Sequence, residues 1–257
     1  MLEFDLKEGF PAVTTKKLAF NAVKGELIGF IRGYDSAEQF RQLGCKVWDQ
    51  NANENKEWLD NPYRKGKDHL GRIYGVQWRK WTPPGEFGYE NHVDQLRQIV
   101  TDVMYNPTSR RMIVTAWNPG ELDRMALPPC HMSFQLLVDV DDNEVSLCMY
   151  QRSCDMFLGI PFNIASYALL LELVAAATGR KPGKLIMFLA DVHIYQNHIE
   201  QVLTQLEREP LPLCQIEISQ EFFKPDYGMD RLEACEPSFI KLVNYISHLP
   251  IKGEMAV

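Results

Sequence analysis

Cys130 stands in Pro129-Cys130-His131, and Gln151-Arg152-Ser153-Cys154-Asp155 follows a short way on, with Gly159-Ile160-Pro161-Phe162-Asn163 next. These stretches supply a sulfur nucleophile, a guanidinium able to hold an anion, and a side-chain amide able to read a heterocycle. A thiol attacks as its thiolate, a form that nearby cations favour. Arg152 provides that charge if the strands on either side of Asp141-Asp142-Asn143 pair as a hairpin. His131 directly follows Cys130 and would face the other side of a strand, so it is a poor base for its neighbour. Arg110-Arg111 and Arg152-Ser153 are candidate phosphate ligands, because the planar arginine fork matches phosphate oxygens and a hydroxyl adds a neutral donor. Asn163 carries both a donor and an acceptor, which suits the carbonyl and N–H edge of a uracil-like ring. The chemistry indicated is covalent attack on a phosphorylated ring.

Elements that would hold these residues follow from periodicity. Leu18 to Ile31 repeats apolar residues at helical spacing, places Glu26 inside a helix and ends near Gly33. His92 to Tyr105 reads as a second amphipathic helix, with Val93, Leu96, Ile99, Val100 and Val103 on one face. Phe10 to Thr15 looks like a short β segment, and Arg111 to Trp117 like a strand. Ser133 to Val140 and Glu144 to Arg152 form the expected hairpin. Phe162 to Thr178 is the clearest helix, opened by Pro161 and closed by Gly179. His193 to Arg208 is expected to be helical. Residues 48–71 are rich in turn formers and read as an ordered surface insertion. Trp48, Tyr74, Trp78 and Trp81 could be stacking surfaces, although clustered aromatics more often belong to a core.

Composition narrows the class. The chain has 257 residues, 46% hydrophobic and 24% charged, with a net charge of −7. That acidity argues against general binding of DNA or RNA, which needs a broad basic face. Six cysteines occur without a C-x-x-C pair, and free thiols in a reducing compartment are expected. No signal-peptide pattern opens the sequence, and the apolar run at 165–177 is too short to span a membrane. Gly179 to Lys184 falls one residue short of a phosphate-binding loop. His193 and His198 are wrongly spaced for ligands on one helical face, so no metal is expected. One α+β domain over residues 1–257 is the economical reading.

The ordered series of motifs resembles the folate-dependent, cysteine-using thymidylate synthase family. The likeness runs from Phe10-Pro11-Ala12-Val13-Thr14-Thr15-Lys16 through Gly71 to Arg79, Pro107 to Arg111, Ala116-Trp117-Asn118, Gln151 to Tyr167 and Asp191 to Tyr195, ending at Met255-Ala256-Val257. It implies a mixed twisted sheet covered by helices, in a homodimer whose sheets pack back to back around composite active sites. It implies that Cys130 adds to C6 of dUMP and that 5,10-methylenetetrahydrofolate then donates a one-carbon unit and a hydride, giving dTMP. By the same resemblance Glu26 manages protons, Tyr74 helps remove the C5 proton and Asn163 reads the ring. Arg152 and Ser153 hold the phosphate, with Arg110 and Arg111 reaching it from a second subunit. His193 and Tyr195 bind the deoxyribose hydroxyl. Trp48, Asp155 and Val257 face the folate, and Lys16 meets its glutamate tail. The expected setting is the cytoplasm, a host's if the gene is viral.

Two departures stand out. No arginine precedes Arg32, where the family places one that clamps phosphate, and Asn51 replaces a second folate-stacking tryptophan. Relatives in phage let water instead of hydride capture the intermediate, so hydroxymethylation of dUMP is the rival reaction. Asn163 favours uracil over cytosine, for which the family uses aspartate. A catalytically weak nucleotide- or RNA-binding regulator is a further alternative, opposed by the intact Cys130, Glu26 and Asn163.

Overall fold

The computed structural model describes residues 1–82 and 92–255. In chain order the elements are β1 (Leu2–Asp5), α1 (Phe20–Ile31), α2 (Ala37–Gln42), α3 (Asp49–Asn53), α4 (Lys56–Leu59), α5 (Tyr74–Arg79) and α6 (Gln95–Tyr105). There follow β2 (Ile113–Thr115), β3 (His131–Asp139), β4 (Glu144–Asp155), α7 (Gly159–Thr178), β5 (Lys181–His193), α8 (Ile199–Leu206), β6 (Gln215–Ile218), α9 (Met229–Ala234) and β7 (Ile240–Val243). Five strands form one sheet in the order β1-β5-β4-β3-β2, and β6 pairs with β7 separately. Only the β4–β5 pair of the large sheet is parallel, joined across α7, so the sheet is mixed.

Alternation along β4 decides which face goes inward. Val145, Leu147, Met149 and Gln151 are buried, whereas Ser146, Cys148, Tyr150 and Arg152 are not. α7 covers the inner face and is packed in turn by α1. By length and composition α7 could cross a bilayer, but most of it lies inside the protein core. Gly179 closes it with a left-handed φ of 71°, a conformation that costs glycine little. The β3–β4 hairpin turns through Asn143 at φ 56°, with Asp139 Oδ1 accepting from the backbone N–H groups of Asp141 and Asp142.

Two glycines of α1 let the next segment lie against it. A Cβ on Gly25 would come within 2.5 Å of the Leu43 carbonyl oxygen, and one on Gly29 within 2.3 Å of the Phe40 ring. This contact closes the wall beside Glu26.

The structure departs from the sequence reading in four places. Phe10 makes only an isolated bridge to Cys214, and the strand lies earlier, at β1. Residues 48–71 are no surface insertion, because Trp48, Ala52, Trp58 and Leu70 enter the main core. The expected helix from His193 shrinks to α8, since residues 181–193 form the longest strand of the sheet. The fourth concerns only the stacking alternative: Trp48, Tyr74 and Trp78 are core aromatics packed around Phe30, the commoner outcome for such clusters.

Candidate active site

Cys130 sits just before β3, where the register of β3 against β4 shifts between His131 and Ser133. Such a bulge re-aims side chains. It leaves Cys130 half-buried while His131 points into the core. Three donors of one residue hold the loop ahead of the thiol. The Arg152 backbone N–H donates to Cys130 O at 2.8 Å. Its Nε donates to Pro129 O at 2.9 Å and its Nη2 to Pro128 O at 3.1 Å. The Cys130 N–H donates to the Tyr74 hydroxyl at 2.7 Å. Cationic and phenolic groups thus converge on one cysteine from β4 and α5.

Behind them lies a buried group of five residues, Glu26, Trp48, Tyr74, His131 and Tyr167. Glu26 accepts from Trp48 Nε1 at 3.0 Å. Burial pushes the Glu26 carboxyl up to about 8, against the opposing pull of that hydrogen bond, so it is protonated at neutral pH. His131 stacks on Tyr74 at 4.1 Å, and its Nδ1 shares a 2.8 Å hydrogen bond with the Tyr167 hydroxyl. Burial lowers His131 to about 3, which fixes it as neutral imidazole. Both phenols are raised well above their ordinary value, chiefly by burial.

Asn163 lies in the second turn of α7. Its Oδ1 accepts from Gln151 Nε2 at 3.0 Å, and the same Nε2 donates to Ser153 O at 2.9 Å. The amide is therefore oriented with its NH2 available as a donor. Gln151 Oε1 is buried without a partner among the described residues. In the sequence Gln151 figured only as part of a motif, with no role assigned to it. Its signal was there: a polar residue in the inward series Val145, Leu147, Met149, Gln151.

Ser153 lies half-buried on β4 between Arg152 and Cys154. Asp155 ends β4, and its Oδ1 accepts from the backbone N–H groups of Phe157 and Leu158, which turns the chain into α7. Across the β4–β5 ladder Asp155 pairs with His193. The His193 ring meets the Tyr195 ring edge-on at 5.0 Å. The sheet thus brings Ser153, Asp155, His193 and Tyr195 to the end of β4 and β5.

Other expected site residues are not displayed as the resemblance implied. Trp48 is 3% exposed, and its indole N–H is engaged by Glu26. Lys16 is buried, with its ammonium against the Phe157 carbonyl and over the Phe157 ring, and burial lowers it to about 8. In this arrangement it is not displayed towards a glutamate tail in solvent. Arg110 and Arg111 are exposed at the start of β2, with no side-chain ion pair among the described residues. Val257 lies outside the described residues.

Comparison with known proteins bears on the same constellation. The family model for thymidylate synthase matches residues 1–257. The chain is 43% identical to the thymidylate synthase of Pseudomonas syringae pv. tomato, with all of this chain and 90% of the relative covered. It is 44% identical to that of Bordetella parapertussis over all of this chain and 90% of the relative. For Symbiobacterium thermophilum the identity is 44%, over all of this chain and 85% of the relative. The chain belongs to the thymidylate synthase family and is an enzyme of its methyltransferase class.

Proposed function

We propose that this chain converts dUMP to dTMP through a covalent adduct on Cys130, with 5,10-methylenetetrahydrofolate as donor of the methylene carbon and of a hydride. The observation that carries this reading is the clamp on Cys130. Arg152 fixes three successive carbonyls around the thiol, and the phenol of Tyr74 holds its backbone N–H. A cysteine held rigidly on a loop that a guanidinium clamps suits nucleophilic addition to an electron-poor ring carbon.

In this scheme the Cys130 Sγ–C6 bond forms as the C5–C6 double-bond pair moves towards O4. Asn163 Nδ2, held outward by Gln151, donates to the ring carbonyl as charge develops there. C5 then bonds to the methylene carbon as that carbon's bond to one folate nitrogen breaks, and its bond to the other nitrogen breaks when the C5 proton is lost. Glu26, neutral because it is buried, supplies and recovers protons through water. Tyr74 assists loss of the C5 proton. Hydride from the folate reduces the exocyclic carbon as Cys130 leaves, giving dTMP and dihydrofolate. Ser153 and the remaining donors of Arg152 hold the phosphate, His193 and Tyr195 the deoxyribose hydroxyl, and Asp155 the folate.

The active form in this proposal is a homodimer, with Arg110 and Arg111 serving the phosphate site of a second copy. Support comes from the outer face of the sheet. Leu137, Tyr150 and Phe188 are each 44% exposed there, beside half-buried Cys148 and Ile186. Apolar faces of this kind mark interfaces. A cytoplasmic setting fits six cysteines that are all free.

The test is incubation with dUMP and methylenetetrahydrofolate, with both products identified by mass. dTMP with dihydrofolate is expected. Hydroxymethyl-dUMP with tetrahydrofolate would assign the water-capture reaction instead.

A further inference from the structure

Arg152 must serve two partners at once, and a residue outside its strand determines how. Its Nε and Nη2 lie along the carbonyls of Pro129 and Pro128, which fixes the guanidinium edge. No described residue accepts from Nη1. Two edge bonds leave one freedom, a tilt of the plane about the line of those bonds. The Trp117 indole removes it. The guanidinium carbon lies over that ring, 5.1 Å from its centroid.

Trp117 is anchored through its backbone, independently of Arg152. Its backbone N–H donates to Thr115 Oγ1 at 3.2 Å, and Ala116 N–H donates to Met132 O at 2.8 Å. Beyond it, Asn118 Nδ2 donates to Glu121 Oε2 at 3.1 Å, a carboxylate oxygen that also accepts from Arg72 and Gln77. The ring is therefore the face of a braced loop, and the cation rests on it.

We infer that Trp117 is a positioning residue for the reaction: its indole face holds the Arg152 guanidinium level, so that one cation clamps the Cys130 loop and keeps Nη1 for the phosphate of the nucleotide. The inference rests on the proposed dUMP chemistry for its substrate and on the position of the guanidinium over the indole for its geometry. A platform that acts through charge differs from mere packing in one respect. Its effect follows the π-electron density of the ring, and bulk alone does not replace it.

The experiment uses the full chain with Trp117→Phe and Trp117→Leu. It reads dUMP affinity, the kcat and KM for dUMP, and the rate of iodoacetamide labelling at Cys130 without ligand, located by peptide mass. Trp117→Leu should weaken dUMP binding and slow labelling by about five- to thirtyfold, the span of a partly desolvated cation–π contact, while Trp117→Phe stays within about threefold. A second series replaces tryptophan by increasingly fluorinated tryptophan, which drains the ring face with little change of shape. Both readouts should fall stepwise in the parent and fall less in a Trp117→Phe background, which contains the effects of the other four tryptophans. This series decides the matter if Trp117→Leu does not fold. A folded Trp117→Leu protein with dUMP affinity and labelling within about twofold of the parent, or no difference between the two fluorinated series, would overturn the inference. Failure of the parent to bind dUMP or form dTMP would instead overturn the proposed reaction, and the labelling series would still report on the platform.

Discussion

Trp48 donates its indole N–H to Glu26 Oε1 across 3.0 Å, in a setting where both side chains are buried. The bond favours the carboxylate, while burial favours the acid and prevails, leaving Glu26 at about 8. Trp48 therefore keeps the proton carrier more acidic than burial alone would leave it. Trp48→Phe should raise the Glu26 pKa further, since the hydrogen bond that stabilises its charged form is lost. The basic limb of the kcat profile should move to higher pH, and an unmoved limb would separate Trp48 from the proton chemistry.

Glu26→Gln should lower kcat by about 10²- to 10⁴-fold, the usual contribution of a positioned acid or base. It should also change how stability depends on pH. A carboxyl raised from 4.5 to about 8 binds more protons folded than unfolded, so stability falls as pH rises across that interval. The Gln variant lacks this decline and should gain on the parent by on the order of a few kcal/mol at pH 8. Glu172, pushed up to about 7 by burial, contributes a decline over an overlapping range, so Glu172→Gln serves as comparator. Denaturant unfolding at several pH values checks both variants.

His131 works in the opposite direction. Its pKa falls from 6.5 to about 3, so the unfolded chain binds the extra proton and stability is lost as pH drops through that window. His131→Gln should flatten the acid side of the stability curve. Labelling of Cys130 at pH 8 should change far less, because neutral His131 faces the core.

Gln151→Leu should release the Asn163 amide, whose Oδ1 is held at 3.0 Å. Losing a hydrogen bond that orients a recognition group should raise the KM for dUMP by about tenfold, with a smaller change in kcat. Equal loss in the two parameters would give Gln151 a different role. Asn163→Asp tests the reading of the ring itself and should weaken dUMP relative to dCMP.

The parts of the molecule legible in the sequence were those governed by local pattern. The β3–β4 hairpin announced itself through period-two alternation around Asp141-Asp142-Asn143, and α7 through its apolar run ending at Gly179. β5 was hidden because Lys181-Pro182-Gly183-Lys184 carries poor strand formers, and its conformation comes from pairing with β4 and β1. Residues 48–71 misled for a related reason. Trp48, Ala52, Trp58 and Leu70 are spread among polar turn residues, and only the tertiary fold gathers them into the core. Within the site, Cys130 and Arg152 were legible as a pair because a hairpin dictates who faces whom. Gln151 became visible only once α7 was laid over the sheet, and the inward turn of Lys16 depends on Phe157, far away in the chain.

The most direct test of the covalent account follows Cys130 and the products together. The parent chain, given dUMP and methylenetetrahydrofolate, should yield dTMP and dihydrofolate in equal molar amounts, each identified by its mass. Cys130→Ala should fold and yield neither. Continued dTMP formation by the Cys130→Ala protein, or a hydroxymethyl nucleotide from the parent, would contradict the account.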